Sequence, residues 1–408
     1  GRGERGSFCA PSSPRIHSRS ADMGKGGSAG KSSAVERLGP LAATIPEPSK
    51  EITKGSIRAA IPPHLFQRSY VHSLGHLVMD LLWVAATWLL ALQAASVLPS
   101  GFAPLVWAAY WFYQGINLTA LWVLAHECGH GGFTDSRLVN DIVGFVLHSA
   151  LLTPYFSWAI THAKHHHYTN HMTNGETWVP STANPEKASV KFAKSPIGTI
   201  RRIVVVALLG WYTYLFTNAT GAKQNAGQSH FSPSSRALFK AKDANLVRAS
   251  NLGMIACLAV LAKCVSVWGF SAVFFNYLVP QTICNFYLCA ITFMQHTHES
   301  VPHFNSEEWT WLRGALSTID RSMGSHVDWR LHHIVDSHVV HHIFSDMPFY
   351  GAKAATPYVK EHLGIYYKSN LGSKVLGSEY LGYWKDFYSS MSRAVVVGVG
   401  EDNFMWFR

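Results

Sequence analysis

Charge is scarce in this chain. Only 14% of its 408 residues are Asp, Glu, Lys or Arg, against about 25% in a typical soluble domain. Hydrophobic residues make up 48% and aromatics 13%, a balance that points to an integral membrane protein. Cysteine is also sparse. The six are Cys9, Cys128, Cys257, Cys264, Cys284 and Cys289, and no two form a CxxC pair. That excludes a disulfide scaffold and a cysteine zinc ribbon, and it fits a reduced, cytosol-facing protein. No basic stripe is interleaved with aromatics, so nucleic acid is excluded as a partner. The net charge of +10 is instead that of loops facing anionic lipid. No internal repeat is present.

The first 22 residues lack an apolar core, which excludes a secretory signal. They are rich in Ser and Arg and do not begin with Met. Met23-Gly-Lys-Gly-Gly-Ser28 reads as a start site, which makes residues 1–22 non-native leader; the same six residues match a myristoylation pattern. The whole of 1–53 is polar and rich in Gly, Ser and Pro, and it is expected to be disordered.

Long apolar runs follow. Runs at about 77–98 and 105–125 are each long enough to span a bilayer. The uncharged link Pro99-Ser-Gly-Phe-Ala-Pro104 predicts an antiparallel hairpin between them. Runs at about 250–268 and 271–294 predict a second hairpin. The run 142–156 is short and holds His148 and Pro154, so it is expected to be re-entrant or interfacial. A run at 203–217 has basic residues on both sides, among them Lys194, Arg201, Arg202 and Lys223, and is expected not to cross. If it did, the sequon Asn218-Ala-Thr220 would offer a check by glycosylation. The predicted fold is thus all-α, with two transmembrane hairpins and about four crossings.

Against this background histidine clusters three times, each time just past an apolar stretch: His126-Glu-Cys-Gly-His130, His162-Ala-Lys-His165-His166 and His338-Val-Val-His341-His342. Spacings of three and four share one face of a helix, so each set can aim two or three nitrogens at one point. Eight neutral imidazoles exceed what one tetrahedral zinc needs and suit two metal ions. The crossing parity of two hairpins puts all three sets on one side of the membrane. His296, at the end of the last apolar run, is expected as a ninth ligand, with His298 and His332 as alternatives. Asp320 and Asp336 are candidates to hold the outer N–H of liganding imidazoles, and His298 and His332 are further candidates for that surrounding layer. Cys128 is read as a small filler. Isolated histidines, namely His17, His64, His72, His76 and His362, are read as ordinary structural residues.

His126-Glu127-x-x-His130 also matches a zinc hydrolase motif in which Glu127 would be the general base. That reading leaves both HxxHH sets without a role. A redox-active pair of metals in an all-nitrogen cage gives every set a role. It can activate O2 beside an apolar slot built by the hairpins.

These residues resemble the membrane fatty acid desaturases, in particular the acyl-lipid Δ12 (oleate) branch. The resemblance runs from about residue 57 to 363. Beyond the three histidine boxes it includes Ala60-Ile-Pro-Pro-His-Leu-Phe-Gln-Arg-Ser69, Leu147-His-Ser-Ala-Leu-Leu152, Pro154-Tyr-Phe-Ser-Trp158, Gln295-His-Thr-His298, Trp311-Leu-Arg-Gly-Ala-Leu316, Ile319-Asp-Arg321 and His341-His-Ile-Phe-Ser345. It implies a desaturase domain over 54–408 with a cytosolic histidine-rich cap in the endoplasmic reticulum membrane. It also implies two iron ions, O2 as co-substrate, and electrons from cytochrome b5 and its reductase. The implied ligands are His126, His130, His162, His165, His166, His338, His341 and His342, with His296 beside them. The implied substrate is an oleoyl phospholipid, converted to linoleoyl. Relatives on the same scaffold are ω-3 (Δ15) desaturases, hydroxylases and acetylenases. Departures from common plant Δ12 sequences are Gly131-Gly132, His167 and His333. The aromatic end Phe404-Met-Trp-Phe-Arg408 resembles a retrieval tail weakly.

Overall fold

The structure, a computed structural model, describes residues 52–369, 373–400 and 402–408. The readings made for residues 1–51, including the Met23 start and the myristoylation pattern, lie outside the described residues. A short helix α1 (Lys54–Ala60), capped by the Thr53 side chain, opens the described chain.

The first hairpin is present. Helix α2 (Tyr70–Val97) begins at Ser69, whose hydroxyl accepts the His72 N–H. Helix α3 (Ala103–His130) returns alongside it and stops at Gly131, which takes the left-handed φ of 75° that glycine adopts without strain. Each has 28 residues, or about 42 Å at about 1.5 Å per residue, more than the ~30 Å hydrocarbon core. The two helices bury different amounts. α2 exposes Leu81, Leu82, Leu89 and Leu90 to lipid, whereas every residue of α3 from Gln114 to Cys128 is buried. α3 is the central helix, and it carries Gln114 and Asn117, which hydrogen-bond Val84, Trp83 and Thr87 of α2.

Helices α4 (Arg137–Ala150) and α5 (Tyr155–His167) bend by 106° at the break between them. Gly144 lets the Tyr155 ring lie against α4; a Cβ there would sit 2.3 Å from that ring. The pair cannot cross, because His130 before it and His162 and His166 at its end stand in one cluster. The re-entrant expectation for 142–156 therefore holds.

After α6 (Ala188–Lys194) comes a bent rod made of α7 (Pro196–Val205), a π-helical turn at Val206–Gly210 and α8 (Trp211–Thr217). Among the described residues four helices are long and apolar enough to cross a membrane: Tyr70–Val97, Pro196–Thr217, Ala241–Trp268 and Phe270–His296. By composition, then, 196–217 passes and the polar-studded central helix does not, the reverse of the sequence expectation. Side-chain ties explain why the expectation for 196–217 still stands. At one end Arg202 donates to the Met391 carbonyl, and the nearby Arg393 pairs with Glu299, three residues past His296. At the other end Tyr214 meets Thr161, one residue before His162. Both ends lie on the histidine side. Asn218 is fully buried in a left-handed cap, so its sequon is closed to glycosylation.

The second hairpin is α9 (Ala244–Trp268), a turn at Gly269, and a rod of α10 (Phe270–Val273), a π turn (Phe274–Leu278) and α11 (Val279–His296). The remaining chain folds as a cap on the histidine side: α12 (Trp311–Leu316), α13 (Ser325–Arg330), α14 (His338–Ile343), α15 (Phe349–Leu363), α16 (Glu379–Arg393), and a hairpin of β1 (Val397–Val399) and β2 (Met405–Phe407). Phe404, Met405 and Phe407 are buried, and Met405 exchanges backbone hydrogen bonds with His303. The aromatic end is thus cap core. The weak likeness to an exposed retrieval tail does not carry over to the fold.

Candidate metal centre

Four helix ends meet at one place. The C-terminal turn of α3 supplies His126 and His130, and α5 supplies His162, His165 and His166. The last residue of α11 is His296, and α14 adds His338, His341 and His342. In each box, positions three or four apart lie on one face, so local helix geometry does the first half of the assembly. Packing does the second half.

Ligand-capable nitrogens of His126, His130, His162, His166 and His341 all lie within 4.8 Å of one another, and so do those of His165, His296 and His342. His338 adjoins the second group, its Nε2 3.2 Å from His296 Nε2. The two groups touch where the His166 and His342 rings stack at 4.1 Å.

Outer hydrogen bonds fix which nitrogen faces in. His165 Nδ1 donates to the Glu176 carbonyl at 3.1 Å, which leaves its Nε2 bare and 3.2 Å from His296 Nε2. Thr169 already donates its hydroxyl proton to the His165 carbonyl, so it accepts from His342 Nδ1 at 3.1 Å. His126 Nδ1 meets the Glu127 carboxylate at 3.0 Å, and its Nε2 faces His130 Nε2 at 3.3 Å. The Nε2 atoms of His341 and His342 are buried without a protein partner. Burial, reinforced by neighbouring imidazoles, holds His338, His341 and His342 well below the usual imidazole pKa. They are therefore neutral, with lone pairs converging on common points. Two metal cations fit this donor set; a network of protein hydrogen bonds alone does not satisfy it.

Glu127 settles the zinc motif. Its Oε1 serves the outer Nδ1 of His126 and stands 3.8 Å from Nδ1 of His341. It braces His126 from behind with its Oε1, the placement of a supporting carboxylate and not of a water-activating base. Gly132 makes room for it; a Cβ would come within 3.2 Å of Glu127 Oε2.

Four expected supporting residues are elsewhere. Asp320 accepts the Val339 backbone N–H at 2.8 Å and the Tyr367 hydroxyl. It caps α14, where a carboxylate complements the helix N-terminus, and it holds no imidazole. Asp336 pairs with His333 at 3.0 Å and with Lys353, and His333 is outside the cluster. His298 follows the extended Thr297 that ends α11 and turns to Ser300. His332 bonds Asp80 at 2.6 Å. Neither histidine joins the cluster, whereas His296 does. The bracing groups that sequence reasoning missed are the Glu176 carbonyl and Thr169. Thr169 lies three residues past His166, a helical-turn spacing that would have marked it.

A mostly apolar slot of about 50 Å³ reaches the cluster; its lining includes His126, His162, His165, His296 and His338 together with Trp122, Trp158, Trp211 and Leu288.

Comparison with known proteins agrees with this geometry. The fatty acid desaturase family matches residues 104–370. The chain is 38% identical to the Delta(12) fatty acid desaturase FAD2 of Calendula officinalis, over 89% of this chain and 93% of the relative. It is 39% identical to the Delta(12)-oleate desaturase of Trichosanthes kirilowii, over 79% and 87% of the two chains. It is 40% identical to the Delta(12) fatty acid desaturase of Mortierella isabellina, over 78% and 83%. A multi-pass helical chain with a histidine-built metal centre, matched over this length, belongs to the fatty acid desaturase family and is an oxidoreductase of the membrane.

Proposed function

We propose that this enzyme uses two irons and O2 to insert a cis double bond at Δ12 of oleoyl chains on membrane lipids, giving linoleoyl chains. The observation that carries the proposal is the convergence of nine inward-facing histidines in two adjoining groups beside an apolar slot. The Δ12 assignment draws on the names of the relatives. His126, His130, His162, His166 and His341 would hold one iron, and His165, His296, His338 and His342 the other. The acidic residue of the first box is Glu127, and it braces that box from outside.

Bound iron would supply the oxidising power that an unactivated C–H bond requires. The chain's own residues do the rest. Glu127, Glu176 and Thr169 hold the ring orientations. The three tryptophans and Leu288 exclude water and align the acyl chain against the histidines. The balance is simple. Two hydrogen atoms leave adjacent methylenes, two electrons come from the donor and two protons from solvent, and O2 becomes two waters. The electrons come from cytochrome b5 and its reductase, and the histidine face lies on the cytosolic side of the endoplasmic reticulum. Residues 54–408 form the desaturase domain.

The test is fatty-acid profiling of yeast without polyunsaturates of its own, expressing the chain. New linoleoyl chains support the proposal. Linolenoyl chains formed only on linoleate feeding would reassign the position to Δ15, and a hydroxylated product would reassign the reaction.

A further inference from the structure

The slot at the metal centre is not isolated. A second, larger cavity of about 340 Å³ adjoins it, within the usual size of a ligand site. The two share four lining residues: Thr177, Trp211, Leu288 and Thr292. The outer cavity runs from that neck between the 196–217 rod, α11 and α16. Its lining includes Val205, Phe293, Phe387 and Met391, with Arg201 and Arg202 of α7 at the end farthest along the chain from the shared residue Trp211.

Ile197, Ile200 and Val204 of α7 are exposed beside the two arginines, which is the pattern of a helix lying in the membrane interface. Neither guanidinium pairs with a carboxylate among the described residues. Arg202 donates to the Met391 carbonyl, and Arg201 lies over the Phe192 ring at 5.5 Å. Two uncompensated guanidiniums at one end of an apolar cavity match a phosphate followed by a hydrocarbon chain. The neck is conformationally marked. Thr177 has a φ of 68°, rare and strained for a β-branched residue. Its neighbour Glu176 supplies the carbonyl that orients His165.

We propose that the outer cavity takes one acyl chain of a phospholipid, with the phosphate held by Arg201 and Arg202, and that the neck of Thr177, Trp211, Leu288 and Thr292 determines which methylenes reach the histidines. This rests on the desaturase reading above and adds to it the route of the substrate and the residues that set its depth.

The full chain in nanodiscs, with phosphatidylcholine carrying a photoactivatable diazirine in an 18-carbon chain, tests the route directly. Crosslinks should map to 201–214 and 288–293; crosslinks confined to other segments overturn it. Kinetics test the arginine end. Arg201 is exposed, so Arg201→Gln leaves the fold intact. By itself it should raise KM for oleoyl phosphatidylcholine by about tenfold with kcat retained, the size of a lost charge-assisted contact; Arg202 is left in place because it also ties the rod to the Met391 carbonyl. An unchanged KM overturns the phosphate site. A KM change seen only with oleoyl-CoA overturns the phospholipid and assigns the arginine end to a thioester's phosphates. Thr292→Trp should fill the neck, abolishing inner crosslinks while outer ones persist, and Thr177→Gly should move the position of the new double bond. Unchanged crosslinks and product position in both variants overturn the neck. Wild-type chain that is crosslinked along this route but forms no double bond refutes the desaturase reading and leaves the route standing. Desaturation with crosslinks elsewhere refutes the route alone.

Discussion

His165 and His296 are 131 positions apart in the chain and face each other Nε2 to Nε2 at 3.2 Å. Only His165 has its outer nitrogen fixed, by the Glu176 carbonyl, so its inner lone pair is committed. The contact ties the re-entrant pair to the second hairpin, and it brings the end of a membrane helix into the histidine cluster.

Replacing either residue should therefore cost metal as well as activity. His165→Ala and His296→Ala are each expected to abolish product formation and to lower the bound iron per chain below that of the wild type. Iron analysis of purified protein checks this. His298→Ala should keep its full iron content, because His298 is turned to Ser300. Full iron and activity in His296→Ala would remove it from the centre.

Glu127→Gln keeps the shape of the brace and exchanges one acceptor oxygen facing His126 for an amide NH2. Loss of such an outer partner typically costs about 10–100-fold in metal affinity or activity, and that range is expected here. Chelator competition against wild type measures it. An unchanged iron affinity would show that the carboxylate does not support His126 and His341.

Asp80 and Arg330 form a fully buried ion pair at 2.8 Å, and the other Asp80 oxygen takes His332. The pair ties α2 to the segment that leads into the third box. Asp80→Asn should destabilise the fold by roughly 3–5 kcal/mol, as expected when one partner of a buried pair is left uncompensated. The double replacement with Arg330→Met should cost less than the sum of the single ones. Denaturant unfolding in detergent reads both.

Asp320 gives a pH dependence. Burial raises its pKa from 3.8 to about 7. The folded state therefore holds this proton more tightly than the unfolded state. The resulting stability is fully present below pH 3.8 and is lost as pH rises to about 7. Asp320→Asn should flatten that slope in thermal melts between these limits, and an unaltered slope would assign it to other groups.

Much of this protein was legible from local pattern. Helical spacing inside each box is a property of a few consecutive residues, so eight of the nine clustered histidines stood out at once. His296 was legible by its place at the end of an apolar run. The two hairpins followed from run length, and the re-entrant 142–156 from being too short to span. What local pattern misled on was long-range partnering. Asp320 and Asp336 lie near the third box in sequence, yet the first caps a helix backbone and the second pairs with Lys353.

The sequence by itself determined the all-α membrane class, the three boxes and the family, because periodicity, run length and motif survive without a fold. Tertiary structure decided the rest. It placed the apolar 196–217 on one side through Arg202 and Tyr214, buried the polar α3 at the centre, closed Asn218, and gave Glu127 to the outer face of His126. Each of these depends on which distant segments pack together, and packing is set by whole faces meeting in three dimensions.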